Sequence, residues 1–441
     1  MRAPSYFLIL LFLLATAACA QLPDVDGDVL RARAEAGGGQ DTLAVMREEG
    51  EKIAGIRFVD GNKVTLLLDG AATYPTMLAA IRKAKKRIDM ESFMFDDSEG
   101  KRFAAVLIAK RRAGVEVNLI YDAIGSDDTS EALFNKMRAS GIRLVEYNPV
   151  DPGSIIDSSF NHRDHRKLLI VDGAVAFTGG VNISALYRLK LKIKKAVGAD
   201  GDEGEDAALD PEKTPWRDTH VMIAGPVVAE FEKFYAETWR AQHGHPVPAP
   251  PPTPQTRRGD LWVQAIDGTP DLGRYTIYRS LIAAIAVARQ SVHLTTAFFV
   301  PTPDLTDALE DAARRGVDVT LILPSQSSSD LSLHAGHGAY EDLMEAGVKI
   351  FERQNVILHA KTAVIDGVWS TIGSSNLDWR SVLFNNECDA VILGGKFGGQ
   401  METMFRNDLA QSKRIDPEAW ADRPLLEKLQ EWKAETVEYF L

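Results

Sequence analysis

HRKLLIVDGAVAFTGGVN at residues 165–182 and HAKTAVIDGVWSTIGSSN at residues 359–376 are two copies of one pattern. Each copy has a His, a Lys two positions later, an Asp five positions after the Lys, and a Gly-containing bend that ends in Asn. His and Lys two positions apart leave the same face of a β-strand, so both side chains would meet one ligand. A single His-x-Lys is a weak signal, but the whole pattern with identical spacing indicates an internal duplication.

The duplicated residues form a set suited to a phosphodiester substrate. Together the copies supply two imidazoles, two ammonium groups and two amides: His165, Lys167, Asn182, His359, Lys361 and Asn376. Cations and amides can neutralise the non-bridging oxygens of a five-coordinate phosphorus. One imidazole can attack phosphorus while the other protonates the leaving alkoxide and then activates the incoming alcohol or water. This chemistry requires no metal and no other cofactor.

Other residues of each copy have supporting roles in this scheme. We expect two acids in matching downstream places, Asp218 in WRDTHV and Glu387 in NNECDAV, to orient the imidazoles. Asp172 and Asp366 are expected to hold turns and to pair with buried cations rather than to do chemistry. The bends are expected to bring main-chain N–H groups close to the phosphate, through Gly179, Gly180, Gly373, Ser374 and Ser375.

The duplication extends beyond the motifs. Three further pairs of segments align between the halves: 78–95 with 281–299, 111–122 with 313–324, and 137–148 with 343–354. Each half reads as three alternations of helix and strand followed by the His-x-Lys hairpin. This pattern predicts an α/β fold of two lobes, each a mostly parallel sheet with helices on both faces, related by a pseudo-two-fold axis. Since each half owns one His, the active site is expected where the lobes meet.

These motifs make the chain resemble the phospholipase D superfamily over roughly residues 71–415, nearly the whole mature chain. NHRDHRKLLIVDG, FTGGVNIS, WRDTHVMIAGP and GSSNLDWRSVLFNNE are similar to bacterial cardiolipin synthases. The resemblance implies two fused lobes, a phosphohistidine intermediate, and transfer of a phosphatidyl group to an alcohol without metal or nucleotide. It also implies that His165 is the nucleophile and His359 the general acid.

Two features depart from that family pattern. Many integral cardiolipin synthases begin with two membrane-spanning helices, whereas this chain begins with one short apolar run, and the 188–215 insertion has no match. Its basic part can be interpreted as lying on anionic headgroups or as a solvated loop.

The leading function, from the motifs and the resemblance, is a phosphatidyltransferase of cardiolipin synthase type. A phospholipase D hydrolase and, from another class, an exported lipid-binding lipoprotein are the alternatives.

The N-terminus is typical of an export signal. An apolar run at 6–14 is followed by the small residues ATAACAQ, which is the arrangement of a secretory signal. Cleavage at an AxA site before Gln21 competes with a lipobox in which Cys19 becomes the lipidated first residue. Either interpretation predicts an exported protein on the periplasmic side of a bacterial membrane.

The predicted organisation has five parts. A signal at 1–20 and an N-terminal segment at 21–70, expected to dock a helix and a strand hairpin on the first lobe, precede the lobes. The lobes cover 71–243 and 260–441, and a Pro-rich linker at 244–259 joins them. The net charge of −12 argues against a nucleic-acid partner. The expected partners are a phospholipid and a membrane surface, and no pattern indicates an oligomeric state.

Overall fold

The computed structural model describes residues 25–36, 42–150, 161–188, 213–243, 256–270, 273–327, 329–424, 428 and 433–434. The export signal with Cys19, nearly all of the insertion, most of the Pro-rich linker and most of the C-terminal tail lie outside the described residues. No helix in the described part of the chain is long and apolar enough to cross a membrane.

The described part of the chain starts with two helices, and the first lobe follows. The two helices are α1 (Gly27–Ala36) and α2 (Thr42–Ala54). The first lobe contains, in order, β1 (Val59–Leu68), α3 (Asp69–Lys83), β2 (Arg87–Ser92), α4 (Asp97–Arg112), β3 (Glu116–Asp122), α5 (Glu131–Ala139), β4 (Arg143–Tyr147), β5 (Arg163–Asp164), β6 (Lys167–Val171), β7 (Val175–Gly179), a 3-10 turn (Ala185–Arg188), β8 (Trp216–Arg217), β9 (Thr219–Ala224) and α6 (Val228–His243).

The second lobe repeats this order of elements. It contains β10 (Leu261–Gly268), α7 (Thr276–Ala286), β11 (Ser291–Thr296), α8 (Pro303–Arg314), β12 (Asp318–Pro324), α9 (Asp330–Gly338), α10 (Tyr340–Glu345), β13 (Lys349–Arg353), β14 (Ile357–Leu358), β15 (Lys361–Ile365), β16 (Trp369–Gly373), α11 (Trp379–Leu383), β17 (Asn385–Leu393), α12 (Gly395–Leu409), β18 (Ser412–Arg414) and α13 (Pro417–Ala421).

One continuous sheet runs through both lobes. Its order is β18-β13-β12-β11-β15-β16-β17-β10-β1-β9-β7-β6-β2-β3-β4, and the antiparallel pair of β1 and β10 joins the lobes. The duplicated two-lobe architecture is confirmed. Strand direction is mixed, however: β2–β3–β4 and β11–β12–β13 are parallel, whereas the inner strands are antiparallel. Helical crossovers produce parallel neighbours, while the short turns of the His-x-Lys hairpins can join only antiparallel strands.

The N-terminal segment differs from its prediction. Its two helices pack on α7 of the second lobe, where Leu30 and Met46 join the core that contains Leu281. The predicted hairpin on the first lobe is wrong, because β1 is a single strand inserted between β9 and β10. These helices cover the apolar side of α7, so they are part of the core of the second lobe and do not pack on the first.

Three large apolar cores hold the sheet and its helices together. One lies under α3, α4 and α5 of the first lobe, and a second lies under α7 and α8 of the second lobe. The third covers the opposite face of the sheet and contains Phe231 of α6 and Phe397 of α12 together with strands of both lobes. This shared core makes the lobe junction part of a packed interior, which is a rigid place for a site.

Candidate active site

The two His-x-Lys motifs meet at the lobe junction because each is held by the opposite lobe. Strand β5, just before His165, pairs in parallel with the start of β17, and the His165 N–H donates to the Asn386 carbonyl at 2.9 Å. Strand β14, just before His359, pairs in the same way with β8, and the His359 N–H donates to the Arg217 carbonyl at 2.8 Å. Each histidine is thus placed by main-chain bonds that cross between lobes.

The orienting carboxylates are also exchanged between lobes. Nδ1 of His165 lies 2.9 Å and 3.1 Å from the carboxylate oxygens of Glu387. Nδ1 of His359 lies 2.8 Å from Oδ2 of Asp218. Each imidazole of one lobe therefore has the carboxylate of the other lobe as its partner, an exchange that the linear sequence does not specify. A Nδ1–H donated to a carboxylate leaves the Nε2 lone pair free to react.

Burial sets the protonation of this cluster. Burial lowers the pKa of the His165 and His359 imidazoles well below 6.5, and the positive charges of Lys167 and Lys361 lower it further. Burial raises the pKa of Asp218 and of Glu387 to about 7, an effect that a neighbouring lysine opposes in each case. Neutral imidazoles at neutral pH are the form that a nucleophile requires.

Both lysines lie in the same buried cluster. Burial lowers the pKa of Lys167 to about 7 and that of Lys361 to about 8. The Lys167 ammonium donates to the main-chain oxygen of His165, and the Lys361 ammonium donates to that of His359 at 2.6 Å. An entering phosphodiester anion would favour the charged lysines, so phosphate binding and lysine protonation are coupled.

The two asparagines occupy different environments. Asn182 donates from Nδ2 to the Tyr187 hydroxyl at 2.9 Å, and its Oδ1 accepts from the Met94 N–H at 3.2 Å. The Tyr187 hydroxyl in turn lies 3.2 Å from Nδ1 of His359. Oδ1 of Asn376 is buried and makes no hydrogen bond within the described residues. Tyr187 was missed by the sequence analysis, and its place five residues after Asn182 was the available signal.

The main-chain N–H groups of the bends after β7 and β16 were expected to face the phosphate, but they bond to oxygens of the protein. Gly180 donates its N–H to the Thr219 carbonyl at 3.0 Å. Ser374 and Ser375 donate their N–H groups to Oδ1 of Asp389 at 3.0 Å and 3.2 Å, while the Ser374 hydroxyl donates to Glu387. The expectation that these N–H groups hold phosphate is therefore wrong for all three residues, because protein oxygens already occupy them.

Glycine at these bends allows oxygen atoms of the protein to lie closer to the main chain than a Cβ atom would permit. A Cβ at Gly180 would lie 2.1 Å from Oδ1 of Asp218, and one at Gly373 would lie 1.8 Å from Oδ1 of Asp389. Gly179 has φ of +149°, which favours glycine, and a Cβ there would lie 2.5 Å from the Thr219 carbonyl oxygen. Glycine is thus required at 180 and 373 by the neighbouring carboxylates, and at 179 by the backbone conformation and the nearby carbonyl.

Asp172 and Asp366 hold turns, as predicted, but they pair with no cation in the described part of the chain. Each has positive φ, as does the glycine that follows, and this left-handed backbone reverses the chain between the two strands of each hairpin. The Asp172 carboxylate accepts three main-chain N–H groups of residues 85–87 at 2.7–2.9 Å. The Asp366 carboxylate accepts those of residues 289–291 in the same way. The main chain supplies enough donors to satisfy each carboxylate, so no buried cation is needed.

Aromatic rings close around the imidazoles. Phe93 packs edge-on to His165 with ring centroids 5.0 Å apart, and Trp216 lies 5.2 Å from the His359 ring. These contacts restrict rotation of the imidazoles, so the hydrogen bonds to the carboxylates are kept in place. Among the described residues, no group of three or more His, Cys, Asp or Glu side chains is arranged to hold a metal ion.

The chain is similar to proteins whose families are known. Residues 77–187 and 281–409 match a family model described as the phospholipase D-like domain of cardiolipin synthase. A cardiolipin synthase of Geobacillus kaustophilus is 31% identical over 374 residues, which are 84% of this chain and 70% of that protein. Cardiolipin synthase 2 of Bacillus anthracis is 31% identical over 369 residues, 83% of this chain and 68% of that protein.

Solved structures agree on the fold. A phosphatidylserine synthase of Haemophilus influenzae superposes with a TM-score of 0.64 at 13% identity, covering 90% of this chain and all of that one. A polyphosphate kinase of Porphyromonas gingivalis superposes with a TM-score of 0.53 at 14% identity, covering 85% of this chain and 53% of that one. At these identities the likeness concerns the arrangement of strands and helices alone.

Proposed function

We propose that this chain, which belongs to the family of cardiolipin synthases with phospholipase D-like domains, is a phosphatidyltransferase that forms cardiolipin from phosphatidylglycerol. The observation that carries the proposal is the crossed arrangement of two buried imidazoles, each held at Nδ1 by a carboxylate of the opposite lobe. Two oriented imidazoles beside two buried lysines are what a double displacement at a phosphodiester requires. The donor and acceptor lipids belong to the proposal.

The first displacement forms a covalent intermediate. Nε2 of His165 attacks the phosphorus of the donor lipid, forming a P–N bond while the P–O bond to the headgroup glycerol breaks. The phosphodiester anion and the Asp218 carboxylate favour the imidazolium form of His359, which gives its Nε2 proton to the departing glycerol oxygen. Lys167 and Lys361 stabilise the charge that develops on the non-bridging oxygens. The second displacement runs in reverse: the hydroxyl of another lipid loses its proton to His359, attacks phosphorus and releases His165.

An asymmetry between the imidazoles supports this division of roles. Nδ1 of His359 lies 3.0 Å from the Lys361 ammonium in addition to its contact with Asp218. Both lysines donate to the main-chain oxygen of their histidine, but Lys167 has no matching contact with Nδ1 of His165 among the described hydrogen bonds. The positive charge of Lys361 beside Nδ1 makes the imidazolium of His359 a stronger acid at Nε2, which suits a general acid. Nδ1 of His165 meets only carboxylate oxygens among the described contacts, which suits a nucleophile.

The experiment that tests the function is a product analysis. The purified full chain, in detergent micelles, is incubated with labelled phosphatidylglycerol, and the lipids are identified by mass spectrometry. The His165→Ala variant is the control. Cardiolipin plus glycerol is the expected result. Phosphatidic acid without cardiolipin would contradict the proposal and assign the same residues to a hydrolase with water as acceptor.

We also propose that the protein is exported and held at the periplasmic side of its membrane by a lipid on Cys19. The proposal rests on the apolar run at 6–14 and the ATAAC segment. A membrane anchor would keep the site close to lipids that dissolve poorly in water. Intact-mass analysis of the mature protein is the test: a diacylglyceryl group on Cys19 is expected, and a mature chain that begins at Gln21 would refute the anchor.

A further inference from the structure

A buried arginine joins the two lobes beside the Asp218–His359 pair. Arg217 of β8 is 3% exposed, and its Nε lies 2.9 Å and 3.1 Å from the two carboxylate oxygens of Asp408 in α12. One of its terminal nitrogens lies 2.6 Å from Oδ2 of the same carboxylate. Two parallel contacts between a planar guanidinium and a carboxylate fix both distance and direction. Arg217 of the first lobe is therefore held by the last turn of α12 in the second lobe.

The other side of the guanidinium contacts the residue that orients His359. The second terminal nitrogen of Arg217 donates to the main-chain oxygen of Asp218 and to the Thr219 hydroxyl, the latter at 3.1 Å. The main-chain oxygen of Arg217 itself accepts the His359 N–H at 2.8 Å. Arg217 thus contacts both members of the carboxylate–imidazole pair, the aspartate through its side chain and the histidine through its main chain.

Asp69 at the start of α3 completes the support of Asp218. Its Oδ1 accepts the Asp218 N–H at 2.9 Å and lies 3.4 Å from Arg217. Its own N–H donates to the Asp218 carbonyl at 3.0 Å. One carboxylate oxygen of Asp218 accepts the Thr219 N–H at 2.6 Å, and the other faces the imidazole. The main chain on both sides of Asp218 is therefore fixed, which fixes the direction of its carboxylate.

The carboxylate of the other pair is supported by separate contacts. At the place that corresponds to Arg217, Asn386 donates from Nδ2 to the Tyr147 hydroxyl at 3.0 Å. The main-chain oxygen of Glu387 instead accepts from Nε of Arg166 at 3.2 Å. The two carboxylate–imidazole pairs are therefore positioned by different arginines, so each pair can be perturbed without direct contact with the other.

We propose that Arg217 is a positioning residue for general acid catalysis by His359. Its contact with Asp408 sets the direction of the guanidinium, and its contact with Asp218 passes that direction to the imidazole. The inference rests on the proposed function, which makes His359 the general acid. Burial raises the pKa of Asp218 to about 7, and the charges of Lys361 and Arg217 oppose that rise. The arginine thus also favours the carboxylate that stabilises an imidazolium.

The test compares two leaving groups. Single turnovers of the full-length protein in micelles are followed as release of glycerol from phosphatidylglycerol and of p-nitrophenol from phosphatidyl-p-nitrophenol. p-Nitrophenolate departs without a proton, so its release depends on nucleophilic attack but not on general acid catalysis. Arg217→Gln and Asp408→Asn are expected to slow glycerol release about tenfold to a hundredfold and to leave p-nitrophenol release unchanged. Equal effects on both leaving groups, or no effect on either, would overturn the inference.

Matched variants separate positioning from loss of folding. Asp89→Asn makes the same change in another buried pair, in which Nε of Arg87 lies 2.6 Å from Oδ2 of Asp89, and release of both leaving groups is expected to match wild type. In the double variant Arg217→Met with Asp408→Leu, apolar side chains replace both buried charges. It is expected to unfold in one cooperative thermal transition and to show the selective loss of glycerol release. An equal loss of both leaving groups in this folded variant would refute positioning.

Variants of the histidines separate this inference from the proposed function. His359→Ala is expected to abolish glycerol release and retain p-nitrophenol release, whereas His165→Ala should abolish both. Loss of both in His359→Ala would assign that imidazole to attack, which would refute the division of roles together with the role of Arg217. If wild type makes phosphatidic acid instead of cardiolipin, the proposed function fails, but the comparison of leaving groups still tests Arg217, because both products follow the same first displacement.

Discussion

Because each histidine is paired with a carboxylate of the other lobe, we can predict which carboxylate variant affects which histidine. Glu387→Gln keeps the side-chain shape and an oxygen acceptor for His165, but it removes the charge that lies 2.9 Å from Nδ1. Asp218→Asn does the same for His359, whose Nδ1 lies 2.8 Å from the carboxylate. With His165 as nucleophile, we expect Glu387→Gln to slow formation of the phosphohistidine, whereas Asp218→Asn should act on the proton transfers of His359.

The size of the effect follows from the hydrogen bond that is weakened. A hydrogen bond to a charged group contributes about 1.5–3 kcal/mol, so its loss in the transition state corresponds to roughly 10- to 150-fold in rate. The assay is single-turnover labelling of the enzyme with phosphatidylglycerol that is labelled at phosphorus. The reaction is quenched in alkali because phosphohistidine is acid-labile, and peptide mass spectrometry then identifies the labelled His.

The control is a carboxylate–imidazole pair outside the site. Nδ1 of His293 lies 3.0 Å from Glu402, so Glu402→Gln changes the same type of contact and is expected to leave the rate unchanged. The decisive comparison is between the labelled His and the carboxylate that most affects its labelling. The reasoning would be refuted if both belonged to the same lobe, whichever His carries the phosphate.

Three further outcomes are expected. Gly180→Ala would place a Cβ 2.1 Å from Oδ1 of Asp218, so we expect thermal denaturation to show a loss of about 1–3 kcal/mol from overpacking, together with loss of turnover. His220 is fully buried, and burial lowers its pKa from 6.5 to about 3. Below pH 6.5 the unfolded chain therefore binds a proton at this residue that the folded chain does not bind. The free energy of unfolding of wild type falls accordingly as the pH falls toward 3. Urea denaturation of His220→Leu should therefore show a loss between pH 7 and pH 5 that is smaller than that of wild type by about 2 kcal/mol; an equal loss would contradict the burial argument. Excess EDTA should leave turnover unchanged, because the proposed steps use only side chains, and strong inhibition that added metal reverses would contradict them.

The repeated motif was enough to predict the two-lobe α/β fold and the family, because spacing within a strand and turn is a local property. His two residues before Lys, and Asp before Gly, determine which side chains share a face and where the hairpin turns. The strand directions of the inner sheet were not predicted correctly, since the mostly parallel sheet expected from alternating helices and strands does not include the antiparallel strands at and after the His-x-Lys hairpins. The packing of α1 and α2 on the second lobe depends on long-range burial of apolar faces, which no local pattern reveals.

At the site, the sequence by itself determined which chemical groups are present: two imidazoles, two ammonium groups, two amides and two carboxylates at matching positions. Only the tertiary structure decided how they are combined. Strands β5 and β14 pair across the lobe junction, so His165 meets Glu387 and His359 meets Asp218. The structure also decided that the N–H groups of Ser374 and Ser375 donate to the Asp389 carboxylate. The physical reason is that residue types and spacing follow from covalent order, whereas partners separated by 141 to 222 residues are chosen by packing of the whole chain.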